Sequence, residues 1–151
     1  MTEIWKDIKG FEGLYQVSNL GRIKSCQRVV YHPNHRFTKH STMPERIMKP
    51  KLTKFGYYYI YLSKDDKKTG VLVHRLVAFA FLPPVDGKNF IDHLDGDKTN
   101  NCVENLEWVT IAENNQRAYD KGLKRRIHAG QFIKGMNRQQ QYINRRKDNG
   151  N

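Results

Sequence analysis

The stretch from Asp92 to Asn114 holds more potential chemistry than any other part of the chain. Asp92 and His93 are adjacent, and Asn105 and Asn114 follow them after a turn-rich run. Metal-assisted hydrolysis of a phosphodiester requires a hard cation held by oxygen ligands, a base that activates water, and stabilisation of charge on the phosphate. The side chains of this stretch are of the types that supply these parts.

Each of the four side chains suits one part of that chemistry. Asp92 offers an anionic oxygen and Asn114 a neutral carbonyl oxygen, which together predict a site for one Mg²⁺ or Mn²⁺ ion. Histidine is the residue type whose unperturbed pKa, about 6.5, lies near neutral pH, so His93 is the candidate general base. Asn105 does not titrate, and we predict that it orients the loop and the imidazole through hydrogen bonds.

Other interpretations of these residues exist. An isolated Asp-His pair is usually structural or exposed, and asparagine is common in turns and helix caps. A calcium-binding loop is a second reading of residues 92–101, but the alternating ligand spacing and terminal glutamate of an EF-hand are missing. We therefore set the calcium loop aside.

Two strands and a helix are predicted to position the four side chains. The first strand covers residues 90–93, and the second covers residues 106–109 after a loop rich in turn formers. Thr110 and Glu113 have the spacing of a capping box, which predicts a helix that begins at Thr110 and carries Asn114 in its first turn. Gly122 is the predicted C-cap of that helix.

An apolar helix is predicted just before this region, over residues 74–82, and Pro83 and Pro84 end it. We predict that its apolar residues, Phe79 included, belong to the core. His74 and Arg75 stand at its start, where they either reach the site or brace the helix, and bracing is the preferred interpretation because free backbone groups at a helix start need partners.

The first half of the chain predicts short antiparallel strands. Alternation of apolar and polar residues between glycines places strands at residues 15–18 and 22–25, with Trp5, Phe11, Tyr15 and Val17 as a small core. Residues 27–45 predict a long exposed loop. Strands return at residues 46–52 and 55–63, the latter with tyrosines 57, 59 and 61 on one face, and residues 64–70 predict a polar hairpin connection.

Charge indicates a polyanionic partner. The 151-residue chain carries a formal net charge of +12, and residues 121–151 contain nine Lys or Arg and one acidic residue, so they supply 9 − 1 = +8. Neutralising the phosphates of a nucleic acid releases counterions, which makes a nucleic acid the first candidate. An excess of charge that only promotes solubility is the alternative interpretation.

Two cysteines do not predict a disulfide framework, and a reducing compartment is the expected setting. A zinc site is an open alternative for four residues, although their spacing matches no recognised ligand pattern. These residues are Cys26, His32, His35 and His40. No apolar run approaches the roughly 18 residues of a membrane span, and the first residues lack the order of a signal peptide. We therefore predict no membrane association.

Two segments together resemble the HNH endonucleases with a ββα-metal fold, particularly the phage and intron-encoded homing endonucleases. The run WKDIKGFEGLYQVSNLGRIKS looks like their N-terminal module, and the run from VHRLVAFAFLPP to WVTIAENNQRAYDKG looks like their catalytic module. In that family the corresponding residues imply His93 as general base, Asp92 and Asn114 as metal ligands, and Asn105 as the residue that orients the loop. Asn114 stands where many members have histidine, which implies Mg²⁺ or Mn²⁺ rather than zinc.

The resemblance implies an α+β fold with N-terminal antiparallel strands, an HNH ββα-metal motif and a basic tail. The expected divisions are a β-rich DNA-binding module at 1–63, a catalytic module at 64–123 and a DNA-binding tail at 124–151. The implied function is metal-dependent cleavage or nicking of double-stranded DNA, and the alternative is a noncatalytic DNA-binding protein on the same scaffold.

The expected setting is the cytoplasm of a bacterial host, with the gene carried by a phage or mobile element. The chain is expected to act as a monomer, with a dimer as the alternative. A basic RNA-binding protein is a further interpretation, and only the tyrosine-rich strand predicted at residues 55–63 supports it. The side chains predicted to contact DNA are Arg22, Lys24, Lys51, Lys54, Tyr57, Tyr59, Lys121, Lys124, Arg125 and Arg126.

Overall fold

A computed structural model gives the structure of the chain and describes residues 2–32, 34, 36–37 and 39–122. The chain divides after Asn115 into two compact units. Every strand pair in the described part is antiparallel, and two α-helices accompany the strands, so the predicted α+β class is confirmed. The predicted basic tail, residues 124–151, lies outside the described residues.

The elements of the described part follow one another in a simple order. The first nine strands precede the first helix, and they are β1 (Trp5–Asp7), β2 (Tyr15–Ser18), β3 (Ile23–Ser25), β4 (Arg28–Tyr31), β5 (His40–Met43), β6 (Arg46–Met48), β7 (Lys51–Leu52), β8 (Tyr58–Lys64) and β9 (Lys67–Leu72). The remaining elements are α1 (Val73–Phe81), β10 (Phe90–His93), a 3-10 turn (Val103–Asn105), β11 (Leu106–Val109) and α2 (Ile111–Asp120).

Four of the short strands form one sheet in the order β1-β2-β3-β6. The strands predicted at residues 15–18 and 22–25 are confirmed as β2 and β3, and Tyr15, Val17 and Ile23 are buried in the core between this sheet and α1. Trp5, predicted for that core, is only half-buried and carries the Lys24 ammonium 4.7 Å from its ring centroid. The sheet therefore buries one face and leaves cation-covered aromatic surface on β1.

The prediction of a long loop over residues 27–45 is wrong, because β4 and β5 pair as a separate two-stranded ribbon. The register runs from Arg28 opposite Met43 to Tyr31 opposite His40. Val29 is 66% exposed and Tyr31 is 58% exposed. A ribbon whose side chains stay largely exposed lacks the alternating apolar pattern by which strands are predicted from sequence.

A third sheet has the order β7-β8-β9. Ile60 and Leu62 of β8 are buried whereas Tyr61 is exposed, which confirms the predicted alternation. The strand predicted at residues 46–52 is in fact two strands in different sheets. The connection predicted at residues 64–70 is also too long, because Asp65 and Asp66 make the turn with positive φ angles of 50° and 57°, and β9 begins at Lys67.

Helix α1 packs one face against the core and ends before the two prolines, as predicted. Val73 and Val77 are fully buried, and Leu76 is 8% exposed. Phe79 was predicted to be buried but is 71% exposed and lies edge-on to Trp108, with ring centroids 5.2 Å apart. A helix on the outside of a domain buries only one stripe of side chains, and Phe79 falls outside that stripe.

The predicted strand–strand–helix unit is confirmed. Strand β10 pairs with β11 from Phe90 opposite Val109 to His93 opposite Leu106. The Thr110 N–H donates to Oε2 of Glu113 at 2.7 Å, and the Glu113 N–H donates to Oγ1 of Thr110 at 3.1 Å. These reciprocal bonds are the predicted capping box, and they fix the start of α2 directly after β11.

Candidate active site

His93 stands at the end of β10 with only 3% of its surface exposed. Its partner across the ladder is Leu106, a member of the core cluster. Its Nε2 lies 3.3 Å from Oδ1 of Asn101, which is also buried. The candidate base is therefore held between the sheet and the loop of residues 94–102. A restrained position of this kind suits a general base.

Asn101 was not among the site residues predicted from sequence. Its Nδ2 donates to the Thr99 carbonyl oxygen at 3.0 Å, which turns its Oδ1 toward the imidazole. Its neighbour Asn100 instead donates to Oδ2 of Asp95 at 2.7 Å. Two adjacent asparagines in a turn-rich run look alike in sequence, so no local signal distinguishes the one that reaches His93.

Asn105, the predicted orienting residue, closes the loop that follows His93. Its Oδ1 accepts from the Asp95 N–H at 3.0 Å, and its Nδ2 donates to Oδ1 of Asp95 and to the Asn100 carbonyl oxygen, both at 2.9 Å. Hydrogen bonds from Asn100 and Asn105 lower the pKa of the Asp95 carboxyl. Asn105 thus has the contacts of a residue that orders the loop, while Asn101 provides a bond to the ring itself. The catalytic role predicted for Asn105 stays a prediction.

Asp92 and Asn114 are the predicted metal ligands, and both are half-buried. Asp92 directly precedes His93 in β10, and it lies near Tyr57, whose ring contacts the His93 ring. The residue directly across the ladder from Asp92 is Glu107, which sequence reasoning missed. Carboxylates opposite each other in a ladder repel, and a bound cation relieves that repulsion. Asn114 lies in the first turn of α2, where its N–H donates to the Thr110 carbonyl at 3.0 Å.

His74 was predicted to brace the start of α1, but it lies beside the candidate base instead. The N-cap of α1 is Leu72 with no side-chain cap bond, and the His74 ring lies 5.2 Å from the His93 ring at an interplanar angle of 72°. The Tyr57 ring contacts both imidazoles, with centroids 5.2 Å from His74 and 6.1 Å from His93. The Lys98 ammonium covers the Tyr57 ring at 4.7 Å. The Tyr57 and His74 rings form one wall around the candidate base.

His74 is expected to make the protein less stable in mild acid. Burial, with smaller contributions from His93 and Arg75, lowers the pKa of His74 to about 4. Between that value and about 6.5 the unfolded chain binds a proton that the folded chain does not, so stability falls as the pH decreases through this window. We expect His74→Phe to reduce this loss by about 2 kcal/mol, measured by urea unfolding at a series of pH values.

The control for this prediction is His40→Phe, because His40 is exposed on the ribbon and its ring lies beside that of Tyr31. Because it keeps His74, it should retain the loss of stability between pH 6.5 and 4. Parallel profiles for His74→Phe and the wild type between pH 6.5 and 4 would contradict the assignment of the acid sensitivity to His74.

The N-terminal candidates for DNA contact already have partners. Arg22 forms an ion pair with Glu3, whose pKa this guanidinium lowers, and more than half of the Arg22 side chain stays exposed. The Lys24 ammonium lies 3.2 Å from Oε2 of Glu45 and over the Trp5 ring, and its side chain is 15% exposed. Arg22 therefore presents more surface to a phosphate than Lys24 does.

The candidates on and near the third sheet differ in exposure. Lys51 and Lys54 are exposed, and the Lys54 ammonium lies 5.0 Å from the centroid of the Phe55 ring. Tyr59 is half-buried and lies edge-on to Tyr61 at 5.5 Å, whereas Tyr57 belongs to the wall around His93. Burial and the nearby Asp92 raise the pKa of Tyr57.

The remaining DNA-binding candidates belong to the second unit. Lys121 is exposed just after the end of α2. Lys124, Arg125 and Arg126 lie outside the described residues. Contact with DNA stays a prediction for all ten candidates.

The structure lends no support to the zinc hypothesis. Within residues 2–32, 34, 36–37 and 39–122, no three His, Cys, Asp or Glu side chains are grouped as a metal site. His32 bonds through Nε2 to Oγ of Ser41 at 2.8 Å, and the His40 ring lies 4.9 Å from the Tyr31 ring at an interplanar angle of 41°. His35, the fourth candidate ligand, lies outside the described residues.

Among the described residues, neither helix has the length or the apolar composition needed to cross a membrane.

Comparison with known proteins finds two family models along the chain. The NUMOD4 motif matches residues 3–63, and the HNH endonuclease model matches residues 71–116. DNA endonuclease I-HmuI of Bacillus phage SP01 is 36% identical over 86% of this chain, which spans 66% of that protein. An uncharacterised HNH endonuclease of Acanthamoeba polyphaga mimivirus is 37% identical over 81% of this chain, which spans 27% of it.

A solved structure agrees with these matches. It describes DNA binding and cleavage by the HNH homing endonuclease I-HmuI, and it superposes with a TM-score of 0.63 at 34% identity, covering 96% of this chain and 68% of the other. The two family models cover residues 3–63 and 71–116, which overlap the two runs whose residues suggested the resemblance. The chain therefore belongs to the HNH homing endonuclease family, with a NUMOD4 motif ahead of its HNH segment.

Proposed function

We propose that this chain is a metal-dependent endonuclease of the homing type that nicks or cleaves double-stranded DNA, with His93 as its general base. The observation that carries the proposal is the placement of His93, buried at the end of β10 and bonded to Asn101. The relatives named as endonucleases, and the DNA-cleaving structural neighbour, support the reaction class. We place this activity in the cytoplasm of a bacterial host and assign it to a monomer.

The protein's own part in the reaction begins with His93. Its imidazole takes the proton of a water molecule as that water attacks the phosphorus atom and one ester P–O bond of the phosphodiester breaks; the leaving oxygen takes up a proton from solvent. A neutral imidazole is a base of suitable strength near neutral pH. Asn101, Tyr57 and His74 restrict the ring to one orientation. A base held in one orientation does not have to be ordered again at each turnover, which lowers the barrier.

The oxygen donors around Asp92 fit a hard divalent cation. Asp92 and the opposing Glu107 offer carboxylate oxygens on one face of the β10–β11 ladder, and Asn114 offers an amide oxygen at the start of the next helix. Mg²⁺ and Mn²⁺ prefer such ligands, whereas zinc prefers nitrogen and sulfur. When bound, one such ion would neutralise charge that develops on the phosphate.

The central test is cleavage of DNA by the chain. Duplexes that bind the chain are first selected from a random pool and cloned into a supercoiled plasmid. We expect nicked or linear product in Mg²⁺ or Mn²⁺, none after EDTA, and cut sites that map to fixed positions on one or both strands. If the chain binds the selected duplex but leaves it intact in both metals, the alternative function applies, which is a noncatalytic DNA-binding protein on the same scaffold.

Asp92→Asn is expected to weaken metal binding without unfolding the chain. The change removes one negative charge from the ladder face but keeps the shape, so Mn²⁺ should be needed at about tenfold higher concentration for half-maximal cleavage. The measurement is cleavage rate against Mn²⁺ concentration, and the matched control is the exposed carboxylate variant Asp86→Asn. Superimposable Mn²⁺ titrations of Asp92→Asn and the wild type would remove Asp92 from the metal site.

A further inference from the structure

The turn of residues 19–21, between β2 and β3, packs directly against the loop that holds His93. The Val103 N–H donates to the Asn19 carbonyl oxygen at 2.8 Å. Gly21 comes so close that a Cβ on it would lie 2.8 Å from Cβ of Asn101 and 3.0 Å from the Asn101 carbonyl oxygen. Only a residue without a side chain fits between this turn and Asn101.

The turn is itself firmly held. Asn19 is 4% exposed, and its Oδ1 accepts from the Ile4 N–H at 2.8 Å while its Nδ2 donates to the Thr2 carbonyl at 3.1 Å. The Gly21 N–H donates to the Ser18 carbonyl oxygen at 3.0 Å. These hydrogen bonds hold the turn in one conformation, so a residue that packs against it is restrained as well.

Asn101 transmits that contact to the imidazole. Its Nδ2 is committed to the Thr99 carbonyl, so its Oδ1, an acceptor, is the atom that meets Nε2 of His93. In a neutral imidazole, a bond to this acceptor requires the ring proton on Nε2, which makes Nδ1 the basic nitrogen. The bond therefore selects both the orientation and the tautomer of the candidate base.

We propose that the turn of residues 19–21, in the NUMOD4 segment, is a positioning element of the active site: it seats Asn101 so that His93 presents Nδ1 to the attacking water. The proposal rests on the function assigned to His93 above. It gives the N-terminal segment a part in the rate of cleavage in addition to any part in DNA binding. Asn101 and Gly21 are positioning residues, since neither is assigned a contact with the substrate.

The chain offers a closely matched pair of glycines for the test. Gly21 has a φ of +80° and Gly10 a φ of +84°, so alanine at either position meets the same backbone strain, but a Cβ on Gly10 has no atom within 4 Å. We expect Gly21→Ala to melt at a lower temperature than Gly10→Ala, because its Cβ also meets Asn101, so cleavage is measured at a temperature at which both variants are folded. Gly21→Ala should lower the single-turnover cleavage rate at saturating protein by about 10- to 100-fold, while Gly10→Ala stays near the wild type and the DNA dissociation constants of all three agree.

A second variant tests whether Asn101 carries the effect. Asn101→Leu keeps the size of the side chain and removes the acceptor, so we expect a loss of rate similar to that of Gly21→Ala. Combining the two should cost no more than either alone, because both remove one interaction. If Gly21→Ala does not fold, Asn101→Leu alone still decides the matter, since a wild-type rate in that variant overturns the proposal.

The tautomer of His93 provides a readout that does not depend on cleavage. Long-range proton–nitrogen NMR of the histidine side chains should show His93 protonated at Nε2 in the wild type and in Gly10→Ala, and a changed or mixed state in Asn101→Leu. Protonation at Nδ1 in the wild type, equal rates for the two glycine variants, or additive losses in the double variant would each overturn the positioning role. A wild-type chain that does not cleave but keeps the Nε2-protonated tautomer refutes the proposed function and not the contact.

Discussion

Replacing His93 with alanine is expected to lower the cleavage rate by about 10²- to 10⁴-fold, the usual contribution of a positioned general base. Affinity for the duplex should change little, because the residue is only 3% exposed and contributes almost no surface to a DNA contact. The measurement is single-turnover nicking of a supercoiled plasmid in Mg²⁺, alongside a binding titration in Ca²⁺. A large loss of rate with unchanged binding is the result that identifies a group acting in the chemical step.

The matched control for His93→Ala is His32→Ala, which also removes one imidazole but does so on the exposed ribbon. Its rate should stay within about twofold of the wild type, since a substitution away from the reacting atoms removes no transition-state interaction. Buried His93 also supports the fold, so melting curves of both variants must be compared with the wild type. Equal nicking by wild type and His93→Ala, with both chains folded, would remove His93 from the role of base.

The parts of the fold that sequence predicted well are those specified by neighbouring residues. The strand–strand–helix unit follows from two short apolar runs, a turn-rich loop and the Thr110–Glu113 capping box, all within 25 residues. Local signals of this kind are present in the chain before it folds. The placement of His93 at the end of β10 was predictable for the same reason.

The parts that sequence did not predict depend on contacts between distant segments. Asn101 gained its importance from Gly21, which is 80 residues away, and His74 gained its place beside His93 from the packing of α1 against the sheet. The β4–β5 ribbon leaves apolar side chains exposed. Its sequence therefore lacks the alternation of apolar and polar residues by which a half-buried strand is predicted. In each case the deciding neighbour is not visible in the local sequence.

Charge counts were a poor guide to which basic side chains are available for DNA. Lys24 is paired with Glu45 and largely covered, and Arg22 is paired with Glu3. A lysine that already has a carboxylate partner must break that pair before it contacts a phosphate, so it adds less to binding than an unpaired one. The balance of 18 basic to 14 acidic residues before residue 121 therefore does not measure how much of that charge is available to bind phosphates.

Removing the basic tail after Leu123 is expected to weaken DNA binding strongly and uniformly across sequences. The tail, residues 124–151, carries eight Lys or Arg and one acidic residue, and it lies outside the described residues. Each phosphate that a protein neutralises adds about 0.9 to the slope of log affinity against log salt concentration for duplex DNA. If half of the tail's basic residues bind phosphates, the slope should shrink by about 3 to 4 and the affinity near 0.1 M salt should fall on the order of 10²-fold.

The matched control keeps the length of the tail and changes only its charge, with the eight basic residues replaced by glutamine. It should reproduce the shallower salt dependence of the truncated chain, because counterion release depends on charge and not on chain length. At saturating protein, both variants should cleave at the wild-type rate, since the proposed catalytic residues all lie before residue 115. A salt slope that is unchanged by truncation would exclude the tail as a major phosphate contact. The binding charge would then have to come from the first unit, where Arg22 and Lys24 would exchange their carboxylate partners for phosphates.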